Sequence, residues 1–267
     1  MKLNLSSILA YPFCRPLALI FKTLPSLHYH FLAKYLRKES SAVLNQINAY
    51  QHIENACDMF QQSFGSAKGW TVIDVGGGIG NTAKIFDQRL SPESLFIVEP
   101  IPENISKLKA ISKSHWMIHE GAAGNTPSTM SLHLAERITA SSLLELNSTD
   151  SEYGNILKSS GSINVSVSPI DTLIPSDARV AVLKMDVQGF ELAVLEGAAD
   201  TLKRTSLVVL EVNNHRGFRN APEYYELDEF LRAQGFELID ILAQNRQNGR
   251  LLDWDSIYMN RNLHVSS

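Results

Sequence analysis

The sequence predicts one doubly wound α/β domain with a mostly parallel sheet and an N-terminal helical arm. Three observations predict it. From Trp70 onward, short β-branched runs alternate with helical stretches, the pattern that builds right-handed βαβ units. The first of these runs leads straight into a cluster of glycines and then a helix. The 267 residues, 44% apolar and 19% charged, suffice for a packed core with an extra segment, and their composition is not that of a disordered chain.

Residues 27–64 contain no Pro or Gly and carry apolar side chains at three- and four-residue spacings, which predicts one or two amphipathic helices. Gly65 and Gly69 end that pattern. Strands are then expected at 71–75, 94–99 and 116–119. Helices are expected at 81–90 and 102–112, the second with Pro102 in its first turn. Residues 125–175 differ: 128–134 and 163–167 alternate like strands, while 141–161 is polar and turn-rich. The α/β rhythm resumes with a strand at 179–186, a helix at 190–203, a strand at 207–212, a helix at 222–234 and a strand at 236–242. A closing strand at 254–259 pairs with its predecessor across Asn248-Gly249. The expected organisation is a helical arm over 1–68 and a ligand-binding domain over 69–267 with an inserted substrate loop over 125–175.

Charge and composition exclude several classes. A net charge of −4 gives no basic excess for nucleic acid, and none is expected as a partner. Cys14 and Cys57 form neither a CxxC pair nor a disulfide framework, which suits reduced thiols in the cytoplasm. Pro12, Arg15 and Pro16 interrupt the apolar start, so no transmembrane segment is expected. At most the arm makes a weak peripheral membrane contact.

The strongest local signal is Val72-Ile-Asp-Val-Gly-Gly-Gly-Ile-Gly-Asn-Thr82. Glycines after a strand permit positive φ and let a ligand approach the backbone, and the helix that follows offers free N–H groups and a positive dipole end. Dinucleotides favour GxGxxG, but here Asn81 stands at the third glycine position. The GxGxG spacing suits a ligand without a pyrophosphate, such as S-adenosylmethionine. Gly76, Gly78 and Gly80 are the expected cofactor contacts. Asp74 either receives the ligand's ammonium or bonds turn amides. Glu99 ends the second strand, where a carboxylate accepts both ribose hydroxyls. Glu120 or the backbone near Ala122 is expected to read the adenine edge, since small residues there leave room for a ring.

A fourth strand delivers Asp186 toward the point where strand order reverses, and Glu191 opens the next helix favourably for its dipole. The run Lys184-Met-Asp-Val-Gln-Gly-Phe-Glu191 with Leu195-Glu-Gly-Ala198 resembles the FkbM family of methyltransferases. Val72 to Gly80, Glu99-Pro-Ile-Pro-Glu-Asn104 and Ser141-Ser-Leu-Leu144 match the same family in the same order, over roughly residues 70–260. Two features vary: Gln188 stands where many members carry Glu, and three glycines are consecutive. The resemblance implies a class I methyltransferase (Rossmann-like) fold, seven-stranded with an antiparallel C-terminal strand. It also implies S-adenosyl-L-methionine as cofactor and O-methylation of a hydroxyl on a sugar or small natural product.

In that reading Asp186 is the expected general base, assisted by Lys184. Ser141, Ser142 and the loop residue His215 are the expected acceptor contacts, with turn capping and solvation as their ordinary alternatives. Asp186, Glu211 and Asn213 end neighbouring strands and offer an oxygen set for Mg²⁺, although no metal is favoured. Two rival readings stand beside this one: an NAD-dependent oxidoreductase, and a non-catalytic relative that binds a cofactor or a partner protein.

Overall fold

A computed structural model describes residues 50–136, 138–145, 147, 159–214, 217–247 and 249–263. Helix α1 spans Gln51–Phe64. Strand β1 (Thr71–Val75) is followed by helix α2 (Asn81–Leu90), β2 (Ser94–Glu99), α3 (Pro102–Ile111) and β3 (Trp116–Glu120). Next come β4 (Ala122–Ala123), β5 (Ser128–Ala135), β6 (Ser159–Ser168) and a short helix α4 (Ile170–Leu173). The chain continues through β7 (Val180–Met185), α5 (Glu191–Glu196), α6 (Ala199–Leu202), β8 (Thr205–Asn213), α7 (Tyr224–Ala233), β9 (Phe236–Gln247) and β10 (Arg250–Asn260).

Seven strands form one sheet in the order β3-β2-β1-β7-β8-β10-β9. The first five pair in parallel, and β10 runs antiparallel to both of its neighbours. This is the expected class I methyltransferase arrangement, with the reversal of strand order falling between β1 and β7. The middle strands β1 and β7 are buried along their whole length, as strands covered on both faces must be.

Each face of the sheet has its own core. Ile73, Leu183, Met185, Val208 and Leu210 pack with α5, α6 and α7. Val72, Val182, Leu207 and Val209 pack on the other face with α1 and α2. Helix α1 therefore lies against the sheet: Ile53, Ala56, Cys57 and Phe60 are fully buried. Burial also pushes the Cys57 thiol up to about 12.

The inserted segment forms a second, three-stranded sheet in the order β4-β6-β5, with β5 and β6 antiparallel. One expected element differs. The helix predicted over 190–203 is broken at Gly197, where a Cβ would stand 2.0 Å from the carbonyl oxygen of Gly124. The close approach of another backbone stops the helix, a tertiary cause that local spacing does not reveal. Among the described residues no helix is long and apolar enough to cross a membrane.

Candidate active site

The glycine turn is tied to the strands on both sides of β1. Gly76 and Gly77 donate backbone N–H bonds to Val98 O at 2.9 and 3.2 Å, and Asp186 N donates to Val75 O at 3.1 Å. Gly76 has φ +72, and a Cβ there would meet Asp186 O at 2.0 Å. The bend after β1 and the tip bearing Asp186 therefore touch, and no other residue type fits between them. Gly78, at φ +55, has open space before it. The cleft above this contact is lined by Gly76, Gly78, Glu99, Ile101, Asn104, Ala122, Ala123, Leu132 and the segment 186–188, with Thr139, Ser141, Ser142 and Leu143 forming a wall.

Glu99 lies in that cleft, only 3% exposed. It accepts hydrogen bonds from Gly78 N at 2.8 Å, Ile101 N at 3.0 Å and Asn104 Nδ2 at 3.1 Å. Burial raises its carboxyl above the ordinary range, and these three donors work against that rise. A carboxylate offers about four lone-pair positions, so acceptor capacity remains for a ligand.

Asp186 lines a second cavity as well. That cavity, of about 180 Å³, is lined by Tyr50, His52, Thr82, Lys184, Met185, Asp186, Val209, Glu211 and Asp255. Gln188, at φ +54, donates its amide to Asp186 Oδ1 and to Glu211 Oε2, both at 2.8 Å. Ser142 Oγ donates to Gln188 O at 2.7 Å and so pins the inserted segment to this loop. His52 Nδ1 lies 3.0 Å from Asp255 Oδ2. Burial, and then the Lys184 ammonium, push His52 down to about 4. Burial, and then Asp186, lift Asp255 to about 7. Burial and Asp186 likewise hold Glu211 well above its ordinary value.

A family model described as Methyltransferase FkbM domain matches residues 74–238. The chain belongs to the FkbM methyltransferase family. No relative among curated proteins matches it. Among solved structures it is similar to magnesium protoporphyrin IX methyltransferase from Synechocystis, solved with bound SAM, at 8% identity and a TM-score of 0.46, over 80% of this chain and 81% of that one. It is also similar to a Streptococcus pneumoniae protein in complex with S-adenosyl-L-methionine, at 12% identity and a TM-score of 0.45, over 81% and 75%. A third likeness is an rRNA methylase from Streptococcus thermophilus, at 9% identity and a TM-score of 0.44, over 78% and 96%. At these identities the likeness concerns chain path alone and decides nothing about acceptor.

Within this FkbM-family chain the expected site residues divide. Gly76, Gly78, Glu99, Ala122, Ser141, Ser142 and Asp186 all line the cleft. Asp74 does not: it is 0% exposed, ion-paired to Lys184 at 3.0 Å, and accepts from Thr82 Oγ1 at 2.5 Å. Lys184, 4% exposed, spends its ammonium on Asp74 and on Val75 O and Gly76 O at 3.4 and 3.1 Å. Burial alone would lower that ammonium, yet Asp74 and then Asp186 hold it above its ordinary value. The expected base assistant is thus a brace under the glycine turn, although it also lines the second cavity.

Gly80 caps α2 at φ +87 and faces α3, where a Cβ would strike Leu108 and Ile111, rather than the cleft. Glu120 turns outward to Lys109 at 2.5 Å. Of the oxygen set considered for Mg²⁺, Asp186 and Glu211 are bridged by the Gln188 amide. Among the described residues no group of three or more His, Cys, Asp and Glu could hold a metal. His215 lies outside the described residues. Sequence reasoning missed Asn104, His52 and Asp255. Asn104 lay in a quoted motif, but the other two meet only through tertiary packing of α1 on β10.

Proposed function

We propose that this chain transfers the methyl group of S-adenosylmethionine to a hydroxyl of a small acceptor. The observation that carries the reading is the contact of the Gly76 turn with the Asp186 tip, which sets one cleft for a nucleoside beside one polar cavity for an acceptor. Membership in a methyltransferase family weighs against the oxidoreductase rival, as does Asn81 at the third glycine position.

When bound, S-adenosylmethionine supplies an electrophilic methyl group on a cationic leaving group. The chain then has to bind, align and keep out water. Glu99 accepts one ribose hydroxyl at its remaining lone-pair position, Ala122 and Ala123 leave room for the adenine ring, and Gly78 admits the ligand to the backbone. Asp186 accepts the hydrogen bond of the acceptor hydroxyl and aligns its oxygen, while Gln188 fixes the carboxylate. Ser141 and Ser142 hold the wall of the inserted segment against the cleft. The Gln188 amide bridges the Asp186 and Glu211 carboxyl groups and so fixes their separation.

Calorimetry with S-adenosylhomocysteine against NADH tests the cofactor class. Binding of the first and not the second is expected, and the reverse result overturns the reading. Glu99→Gln is expected to weaken S-adenosylhomocysteine by about 10- to 100-fold, the scale of one hydrogen bond to a charged group.

A further inference from the structure

The second cavity shares Asp186 with the cleft, and cofactor binding does not explain the rest of its lining. Asp186, Glu211 and Asp255 all line it, and no free counter-charge stands among the described residues around them. We propose that this cavity receives a protonated primary amine, so that the acceptor is an amino alcohol whose ammonium is held by Glu211, Asp255 and His52 while its hydroxyl lies at Asp186. The proposal rests on the methyltransferase reading above and narrows its acceptor.

The charges of the lining do not balance. Lys184 is its one cation among the described residues, and that ammonium is taken by Asp74 at 3.0 Å and by the Val75 and Gly76 carbonyls. The Gln188 amide bridges Asp186 and Glu211 but carries no charge. Protons make up the difference. Burial, and then Asp186, raise both Glu211 and Asp255, the latter to about 7. The charged groups acting on these two are Lys184 from β7, Asp186 after it, Asp253 from β10 and Glu191 from α5, besides each other. A cation that enters displaces the bound protons and meets ionised carboxylates.

His52 is a second, separate observation. It is 9% exposed and lines the cavity, and its Nδ1 is buried without a hydrogen-bond partner. That nitrogen lies 3.0 Å from Asp255 Oδ2, near enough for Coulomb interaction but not aligned for a hydrogen bond. Burial, and then Lys184, push His52 down to about 4, so the ring is neutral and adds no positive charge. In the Nε2–H tautomer, Nδ1 is a buried acceptor that lacks a donor. A primary ammonium brings a full charge and three N–H donors together. A hydroxyl brings one donor and no charge, and a quaternary ammonium brings charge and no donor. A metal ion needs its oxygen ligands gathered about one point, and among the described residues no group of three or more His, Cys, Asp and Glu could hold one. Met185 and Val209 line the same cavity and suit the methylene stem of an amine. A protonated nitrogen has no lone pair with which to attack, so the amine anchors the acceptor and the hydroxyl receives the methyl group.

Calorimetry on the full-length protein saturated with S-adenosylhomocysteine tests this with 3-aminopropan-1-ol. The amine is expected to bind at least about tenfold more tightly than propane-1,3-diol, the scale of one charge-assisted contact. Tetramethylammonium and magnesium chloride should bind no better than the diol. Near neutral pH the heat of amine binding should differ between phosphate and HEPES buffers, because protons leave the carboxyl groups. Asp255→Asn, nearly isosteric, and His52→Leu should each weaken the amine at least about tenfold. Unchanged S-adenosylhomocysteine affinity in both variants is expected and shows that they are folded. No binding of the amine, a diol or tetramethylammonium that binds as tightly, equal heats in the two buffers, or a folded Asp255→Asn that binds the amine like the wild type overturns the proposal. Failure of S-adenosylhomocysteine to bind the unaltered chain instead overturns the cofactor reading.

Discussion

Two glycines of one turn, Gly76 and Gly78, separate the need for space from the need for conformation. Both have positive φ, which costs an L residue about 1–2 kcal/mol. At Gly76 a methyl group also collides with the backbone of Asp186, which cannot move without unpairing β7 from β1. Gly76→Ala is therefore expected to lower both the melting temperature and cofactor affinity. At Gly78 the space is open. Gly78→Ala should fold with a small loss of stability, and the main loss should appear in calorimetry with S-adenosylhomocysteine. Lys184 poses the opposite problem, since its removal strands a fully buried carboxylate. Lys184→Met is expected to cost about 3–5 kcal/mol in denaturant unfolding, and Asp74→Asn in the same chain should restore part of it. If Lys184→Met unfolds like the wild type while methyl transfer is lost, Lys184 acts in catalysis and not as a brace.

Among the elements, α1 shows how far local pattern carries. Its apolar spacing predicts an amphipathic helix, and the helix is there. The sequence does not say what the apolar stripe covers. Phe60 is fully buried and meets Trp70 edge-on, with ring centroids 5.2 Å apart. Phe60→Ala is expected to cost about 3–5 kcal/mol, read as a lower denaturant midpoint in a single transition. A separate, earlier transition would mean that α1 unfolds independently of the sheet. The inserted strands were readable from their alternation, but their pairing with the two-residue β4 was not, because so short a strand has no period. The break at Gly197 was invisible for a different reason: the obstructing carbonyl belongs to Gly124, far along the chain.

For the whole molecule, pH dependence follows from where carboxyls are buried. Burial lifts Glu191 to about 7 from an ordinary 4.5, although Val187 N and Gly189 N donate to it. The folded chain thus binds this proton more tightly than the unfolded chain. Its contribution to stability is full below 4.5 and is lost as pH rises through about 7. Glu191→Gln should flatten that part of the stability curve, measured by denaturant unfolding across the range. A curve unchanged by the substitution would place the titrating group elsewhere. Asp255 contributes with the same sign over a similar window. His52 opposes them, since its depressed value gives stability above 6.5 that is lost as pH falls toward about 4.

The sequence by itself determined the sheet, the glycine turn, the position of Glu99 and the delivery of Asp186 to the switch point. Each of these rests on a short-range signal: strand period, positive φ, or a strand end followed by a helix. Only the tertiary structure decided that Asp74 and Lys184 face inward to each other, that an amide occupies the gap between Asp186 and Glu211, and that His52 meets Asp255. Those outcomes depend on which side chains share an enclosed volume. Burial and Coulomb interaction act through space, between strands and helices whose separation along the chain says nothing about their contact.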